Sequence, residues 1–243
     1  MDLALLVAAA FGAGALNSIA GGGSFLSFPA LVFTGVPAIE ANATSTVALW
    51  PGSLAATLGY RVELRAERER LIWLSAVSLG GGIAGALLLL LTPVRVFEGL
   101  VPFLLLIATL VFSFGDRLRA GRAASRPVVV VLWGLISIYG GYFGGGMGLM
   151  MLAALTLAGL TDIHRMNALK SALGTLVNGA AVAVFVVAGA VQWTQAGPMI
   201  LGAIAGGYLG ARLAKRFDSK RVRPVVVLLG WTLTVAFFYR WLA

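Results

Sequence analysis

The sequence predicts an all-α polytopic membrane protein of two inverted-topology repeats, with about eight full transmembrane helices and two short glycine-broken ones. Three observations predict it. Hydrophobic residues make up 60% of the chain and charged residues 11%, well under the charge of a soluble domain. Apolar runs recur along its length, as at 71–91, 97–114 and 225–243, each able to cross a hydrocarbon core of about 30 Å. The chain also repeats itself. Gly21-Gly22-Gly23 falls on Gly144-Gly145-Gly146 at a shift of 123, then Asn42-Ala43 falls on Asn167-Ala168 at a shift of 125. That second register holds as far as Leu104 on Leu229 and Phe112 on Phe237.

The elements follow in order. The first repeat, 1–115, opens with an apolar run (3–19) that lacks the basic start of a secretory leader and reads as a membrane helix. After the first glycine break come a short run (24–35), a polar-flecked span (38–60), a Gly-rich span (71–91) and a fourth span (94–114). A basic cytoplasmic linker, 116–126, leads to the second repeat, 127–243, which runs 127–142, 147–159, 163–188, 196–214 and 222–242. The Gly-rich stretches 79–86 and 205–211 are expected to let helices pack closely. Trp50, Trp73, Trp193 and Trp241 mostly fall near span ends, where an aromatic belt belongs.

Basic residues set the orientation. If each glycine-broken pair counts as one crossing, they divide almost evenly between the two sides. If each pair contributes an even number of crossings and the N-terminus lies outside, 15 basic residues fall inside. Only Arg95 and Arg240 then lie outside, with Lys170 within a span. Both termini are therefore expected outside a bacterial inner membrane, and an odd number of crossings per half inverts the repeats.

Composition also excludes classes. The net charge of +9 would suggest nucleic acid in a soluble chain, but here the basic residues sit in short loops between spans, so no nucleic-acid partner is expected. The absence of cysteine excludes disulfides, thiolate ligands and cysteine catalysis. One histidine and scattered acids offer neither a metal site nor a hydrolase constellation, so neither enzyme activity nor a cofactor is expected. The expected partners are the lipid bilayer and a small anion, and the small-residue faces are compatible with a homodimer.

The breaks carry the functional expectation. Short helices beginning at Ser24 and Met147 would point their free N–H groups and positive dipole ends back at the glycines, and two such ends make an anion site. Gly21, Gly22, Gly23, Gly144, Gly145 and Gly146 would let the ligand approach the backbone. Polar residues gather beside them: Asn17, Ser24, then Asn42, Thr44 and Ser45 in one half, and Asn167, Lys170 and Ser171 in the other. The last three share one helical face, which Thr175 and Asn178 extend. Lys170 has two readings, partner of an anionic substrate or a lysine snorkelling to the cytoplasmic interface. Glu40 is either a proton-coupling carboxylate or a helix cap. His164, beside Asp162 and Arg165, reads as capping or interfacial, and the Arg/Glu run 61–70 as a solvated loop or helix end.

Two glycine-rich breaks, each followed by an Asn-Ala span, resemble the sulfite exporter TauE/SafE family, also called the toluene sulfonate uptake permease family. The resemblance covers nearly the whole chain. "AGGGS" (20–24) and "NATS" (42–45) match the first motif, and "FGGGMG" (143–148) and "NALKS" (167–171) match the second, with Leu169-Lys170 in place of a more usual Gly-Thr. It implies an inner-membrane secondary carrier for a sulfur-containing organic or inorganic anion such as sulfite or a sulfonate. An anion channel, or an assembly factor without transport activity, is the alternative.

Overall fold

The structure, a computed structural model, describes residues 2–19, 22–114, 124–214 and 219–242. These form eleven helices and no strand. They are α1 (Asp2–Ile19), α2 (Ser24–Phe33), α3 (Ala38–Gly59), α4 (Arg61–Ala66), α5 (Arg68–Leu91) and α6 (Val94–Phe114). The second half supplies α7 (Arg126–Tyr142), α8 (Met147–Leu157), α9 (Ile163–Val187), α10 (Trp193–Ala214) and α11 (Ser219–Leu242). Among the described residues, Arg68–Leu91, Val94–Val111 and Ile163–Val187 are long and apolar enough to cross a membrane, and five shorter apolar helices accompany them. Most of the linker, including Arg117, Arg119 and Arg122, lies outside the described residues, as does Gly21. The Arg/Glu run holds the six-residue helix α4 rather than a plain loop.

Helix packing follows the small residues. α1 lies along α10, and α7 along α5. A Cβ added at Gly210 would stand 2.6 Å from the Ala15 Cα, and one at Gly82 would stand 2.6 Å from the Val177 carbonyl oxygen of α9. At both Gly-rich stretches backbone therefore meets backbone, as small residues permit in a bilayer. α3 packs on α9 and α10, and α9 on α3 and α5. α6 pairs with α11, and short α2 and α8 stack on the ends of α1 and α7.

One end of the bundle is sealed by rings. Phe28 of α2 meets Phe143 at 5.6 Å edge-on, Phe237 of α11 at 6.0 Å stacked, and Phe97 of α6 at 6.5 Å. Tyr142 closes on Phe97 at 5.7 Å. Each such pair contributes about 0.5–1.5 kcal/mol beyond area burial. Of the four tryptophans expected in a belt, Trp193 and Trp241 are exposed, and Trp73 lies beneath the Arg126 guanidinium at 5.1 Å. Trp50 differs: its indole N–H donates to the Thr175 carbonyl at 3.0 Å, inside the α3–α9 crossing.

Asp162 caps α9, its Oδ1 accepting from the His164 N–H at 2.8 Å and the Arg165 N–H at 3.3 Å. The capping group is thus the aspartate, and His164 contributes its backbone. The Arg165 and His164 amides hold the Asp162 carboxyl below its ordinary range.

Candidate functional site

Both breaks use glycine where the chain turns left-handed, with φ +93° at Gly22, +79° at Gly144 and +75° at Gly146. α2 begins at Ser24 and α8 at Met147, directly after them. With 10 and 11 residues these helices rise about 15 Å, half a hydrocarbon core. Asn17 pins the first break, accepting from the Gly23 N–H at 3.4 Å. Tyr139 pins the second, donating its hydroxyl to the Gly145 carbonyl at 2.6 Å.

Between the breaks lies a cavity of about 130 Å3. Gly22 and Ser24 line it from one short helix, and Gly144, Gly146, Met147 and Gly148 from the other. Asn17 and Ser18 of α1 enter it. α3 contributes Thr46, Leu49, Gly52, Ser53, Ala56 and, just past its end, Tyr60, while α9 contributes Asn167, Lys170, Ser171, Gly174, Thr175 and Asn178. Both sets are helical stripes of i, i+3, i+4 and i+7 spacing. Where α3 and α9 cross, Thr57 and Thr175 share a hydroxyl bond at 2.9 Å, and Thr175 donates to the Ser171 carbonyl at 2.8 Å.

Lys170 is the one charged side chain among the described residues of the wall. Its stem runs over Gly148, where an added Cβ would lie 3.4 Å from Lys170 Cδ. The described residues offer it no carboxylate: their ion pairs join Glu67 to Arg70 and Arg165, and Asp162 to Arg165. A cation in such a place demands a compensating charge. Neutral polar groups share the wall with it: the Ser24 and Ser171 hydroxyls, the Asn17, Asn167 and Asn178 amides, and the Thr46 and Ser53 hydroxyls, which donate to the Asn42 and Leu49 carbonyls. Donors without acidic groups suit an oxyanion.

Several residues that the sequence places at the site stand elsewhere as structural contacts. Asn42 donates to the Tyr142 carbonyl at 3.0 Å, Ser45 bonds the Ser27 hydroxyl at 2.7 Å, and Thr44 accepts from the Gln192 backbone N–H at 3.0 Å. Glu40 accepts from the Gln192 side-chain amide at the head of α3. Gly23 and Gly145 shape the breaks without lining the cavity. Tyr60, Ser18 and Ser53 are not among the residues that the sequence singles out; projecting Thr46 along α3 at helical spacing reaches Ser53 and Tyr60.

Apolar helices around a polar internal cavity define a membrane protein built to hold a solute. The sulfite exporter TauE/SafE family model matches residues 6–237, and the chain belongs to that family. It is 33% identical to a Haemophilus influenzae protein named "probable membrane transporter protein", over 98% of this chain and 94% of that one. A Sinorhizobium protein, "probable membrane transporter protein ORF9", is 33% identical over 96% of this chain and 91% of its own. The Escherichia coli "probable membrane transporter protein YfcA" is 28% identical over 98% and 90%. No solved structure matches this chain. The protein is a membrane transporter, in a family whose relatives bear transporter rather than enzyme names.

Proposed function

We propose that the protein is a secondary transporter that carries a small anion, a sulfur-containing organic or inorganic species such as sulfite or a sulfonate, across the bacterial inner membrane by alternating access. The carrying observation is Lys170, charged, on the wall of a cavity between two glycine breaks, with no carboxylate partner among the described residues. The anion supplies the missing charge. The Ser24 and Ser171 hydroxyls, the Asn17 and Asn167 amides and the N–H groups at the heads of α2 and α8 bond it.

Two inverted repeats, 1–115 and 127–243, joined by the linker 116–126, organise the movement. Each glycine-broken pair, α1 with α2 and α7 with α8, contributes an even number of crossings, so each repeat crosses an odd number of times and both termini lie outside. Helix packing supports this reading, because the main pairings have counterparts: α1 on α10 and α7 on α5, α3 on α10 and α9 on α5, α2 on α11 and α8 on α6.

The cavity's position supports alternating access. Thr46, Leu49 and Ser53 of α3 and their counterparts Ser171, Gly174 and Asn178 of α9 all line it. Beyond them it extends one way only, to Ala56 and Tyr60 and to Asn167 and Lys170. The counterparts of those four, Ala181, Phe185, Asn42 and Ser45, are buried in contacts. The cavity thus extends into one repeat interface while its equivalent is packed shut, the difference that exchanging conformations between repeats would reverse.

Thermal unfolding of the purified protein with sulfite, sulfate, thiosulfate, sulfoacetate, taurine, acetate and chloride tests the proposal. Stabilisation by a sulfur anion that is absent in Lys170→Ala is expected. No response to any anion overturns it.

A further inference from the structure

Four residues outside the cavity are related by the same shift of 125: Glu40 to Arg165, and Glu67 to Gln192. Glu40 is the third residue of α3 and Arg165 the third of α9; Glu67 immediately precedes α5 and Gln192 immediately precedes α10. Each pair ties the head of a cavity-lining helix to the head of a neighbour. At the end sealed by rings, the Gln192 side-chain amide donates to the Glu40 carboxylate, and the Gln192 backbone N–H donates to Thr44 Oγ1 at 3.0 Å. At the other end, Arg165 donates to Glu67 Oε1 at 3.4 Å, while Arg70 holds Oε2 at 3.0 Å. Glu67 is only 8% exposed, and a carboxylate so buried is stable only while paired.

Resting on the transporter reading above, we infer that Glu40–Gln192 and Glu67–Arg165 are equivalent latches, each closing one end of the transport path. α3 and α9 carry most of the cavity wall, and each latch fastens one of them where it leaves the membrane. An end cannot open while its own latch is made. Both are made in this structure, so the protein stands latched at both ends, with its cavity displaced toward Tyr60. Losing one latch lowers the cost of the state open at that end and leaves the other end unchanged. The two differ in chemistry: one sets a neutral amide against a single carboxylate, whereas the other seats a buried carboxylate between two arginines. Gln192 and Glu67 are positioning residues in this scheme, acting through helix heads and not on the anion.

The chain has no cysteine, so a single Ser53→Cys on the cavity wall makes a clean reporter. Its labelling by a membrane-impermeant maleimide is followed in intact cells, which expose the outer face, and in inverted vesicles, which expose the inner. Gln192→Ala and Glu40→Ala are each expected to raise labelling in cells by roughly tenfold without raising it in vesicles, the size expected of a charge-assisted hydrogen bond. Glu67→Ala is expected to do the converse. The exchange Glu40→Arg with Gln192→Glu, which copies the chemistry of the opposite latch, is expected to restore slow labelling in cells. Unchanged labelling in all three single variants overturns the inference, as does an equal rise on both faces, which would mean general loosening. Labelling needs no anion, so side-specific changes without anion stabilisation would sink the anion reading and leave the latches standing.

Discussion

The hydroxyls of Thr109 on α6 and Thr234 on α11 lie 3.3 Å apart, and the two residues are separated by 125 positions. That is the shift at which the two halves of the sequence match. Trp50 and Thr175, joined by an indole hydrogen bond of 3.0 Å, are also 125 apart. Under the proposed duplication a residue touches its own counterpart only where the axis relating the repeats passes between them. The two contacts therefore mark that axis, one at the α3–α9 crossing beside the cavity and one at the α6–α11 pair.

Lys170→Ala should abolish stabilisation by the transported anion, which at about 100 times its Kd amounts to about 2.7 kcal/mol in the wild type. Gly148→Ala is the subtler companion. Its methyl would meet the Lys170 stem at ordinary contact distance, 3.4 Å, so the fold should survive while the ammonium shifts. Anion titrations followed by thermal unfolding should show weaker affinity in Gly148→Ala with the unliganded midpoint little changed.

Gly146→Ala should destabilise the protein by about 1–2 kcal/mol through its left-handed backbone alone. The new Cβ would also press on Ala108 at 3.1 Å. Unfolding in detergent against the parent chain measures the loss, and an unchanged midpoint would show that this break tolerates a side chain.

Gly80 and Gly82 make a matched pair on α5. A Cβ at Gly80 meets nothing within 4 Å, whereas one at Gly82 stands 2.6 Å from the Val177 carbonyl oxygen. Gly80→Ala should be neutral or stabilising by up to about 1 kcal/mol, and Gly82→Ala destabilising by about 1–3 kcal/mol. Parallel melting curves of the two variants decide it.

Asp162 links stability to pH. Its carboxyl is held low in the folded state by the Arg165 and His164 amides. The cap's contribution is therefore present above the carboxyl's unfolded pKa and fades as pH falls through the lower folded value. Asp162→Asn should keep the cap and flatten the acid limb of a stability-versus-pH curve, and Asp162→Ala should lower stability at neutral pH. An identical acid limb in wild type and Asp162→Asn would assign the dependence to other groups.

Much of this arrangement was legible in the chain. The breaks announced themselves because only glycine takes φ of +93° at Gly22 or +75° at Gly146 without strain, and the α9 stripe because Asn167, Lys170 and Ser171 lie three and four residues apart. The equivalent stripe on α3 reads the same way, yet Asn42 and Ser45 are spent on Tyr142 and Ser27. Which of two matching stripes faces the cavity depends on the conformation of the whole bundle, and no local pattern encodes it. Trp50 lies mid-way along the span 38–60 and enters the α3–α9 crossing, since an indole suits an interior with one carbonyl to bond as well as it suits an interface. Gln192 had no local signal at all; its meaning depends on Glu40, 152 residues away.

The ring cluster at the sealed end has one more consequence. Its members come from α2, α6, the turn after α7, and α11, so both halves of the chain contribute, and Phe28 alone holds three of the contacts. No single helix can withdraw without breaking several contacts together. Together these contacts are worth a few kcal/mol, so partly opened forms of that end gain little while bearing much of the cost. Under the proposed transport cycle, passage there would be a rare, collective event, and solute would leak through in proportion to how often the whole cluster parts, not to how loosely any one ring is held.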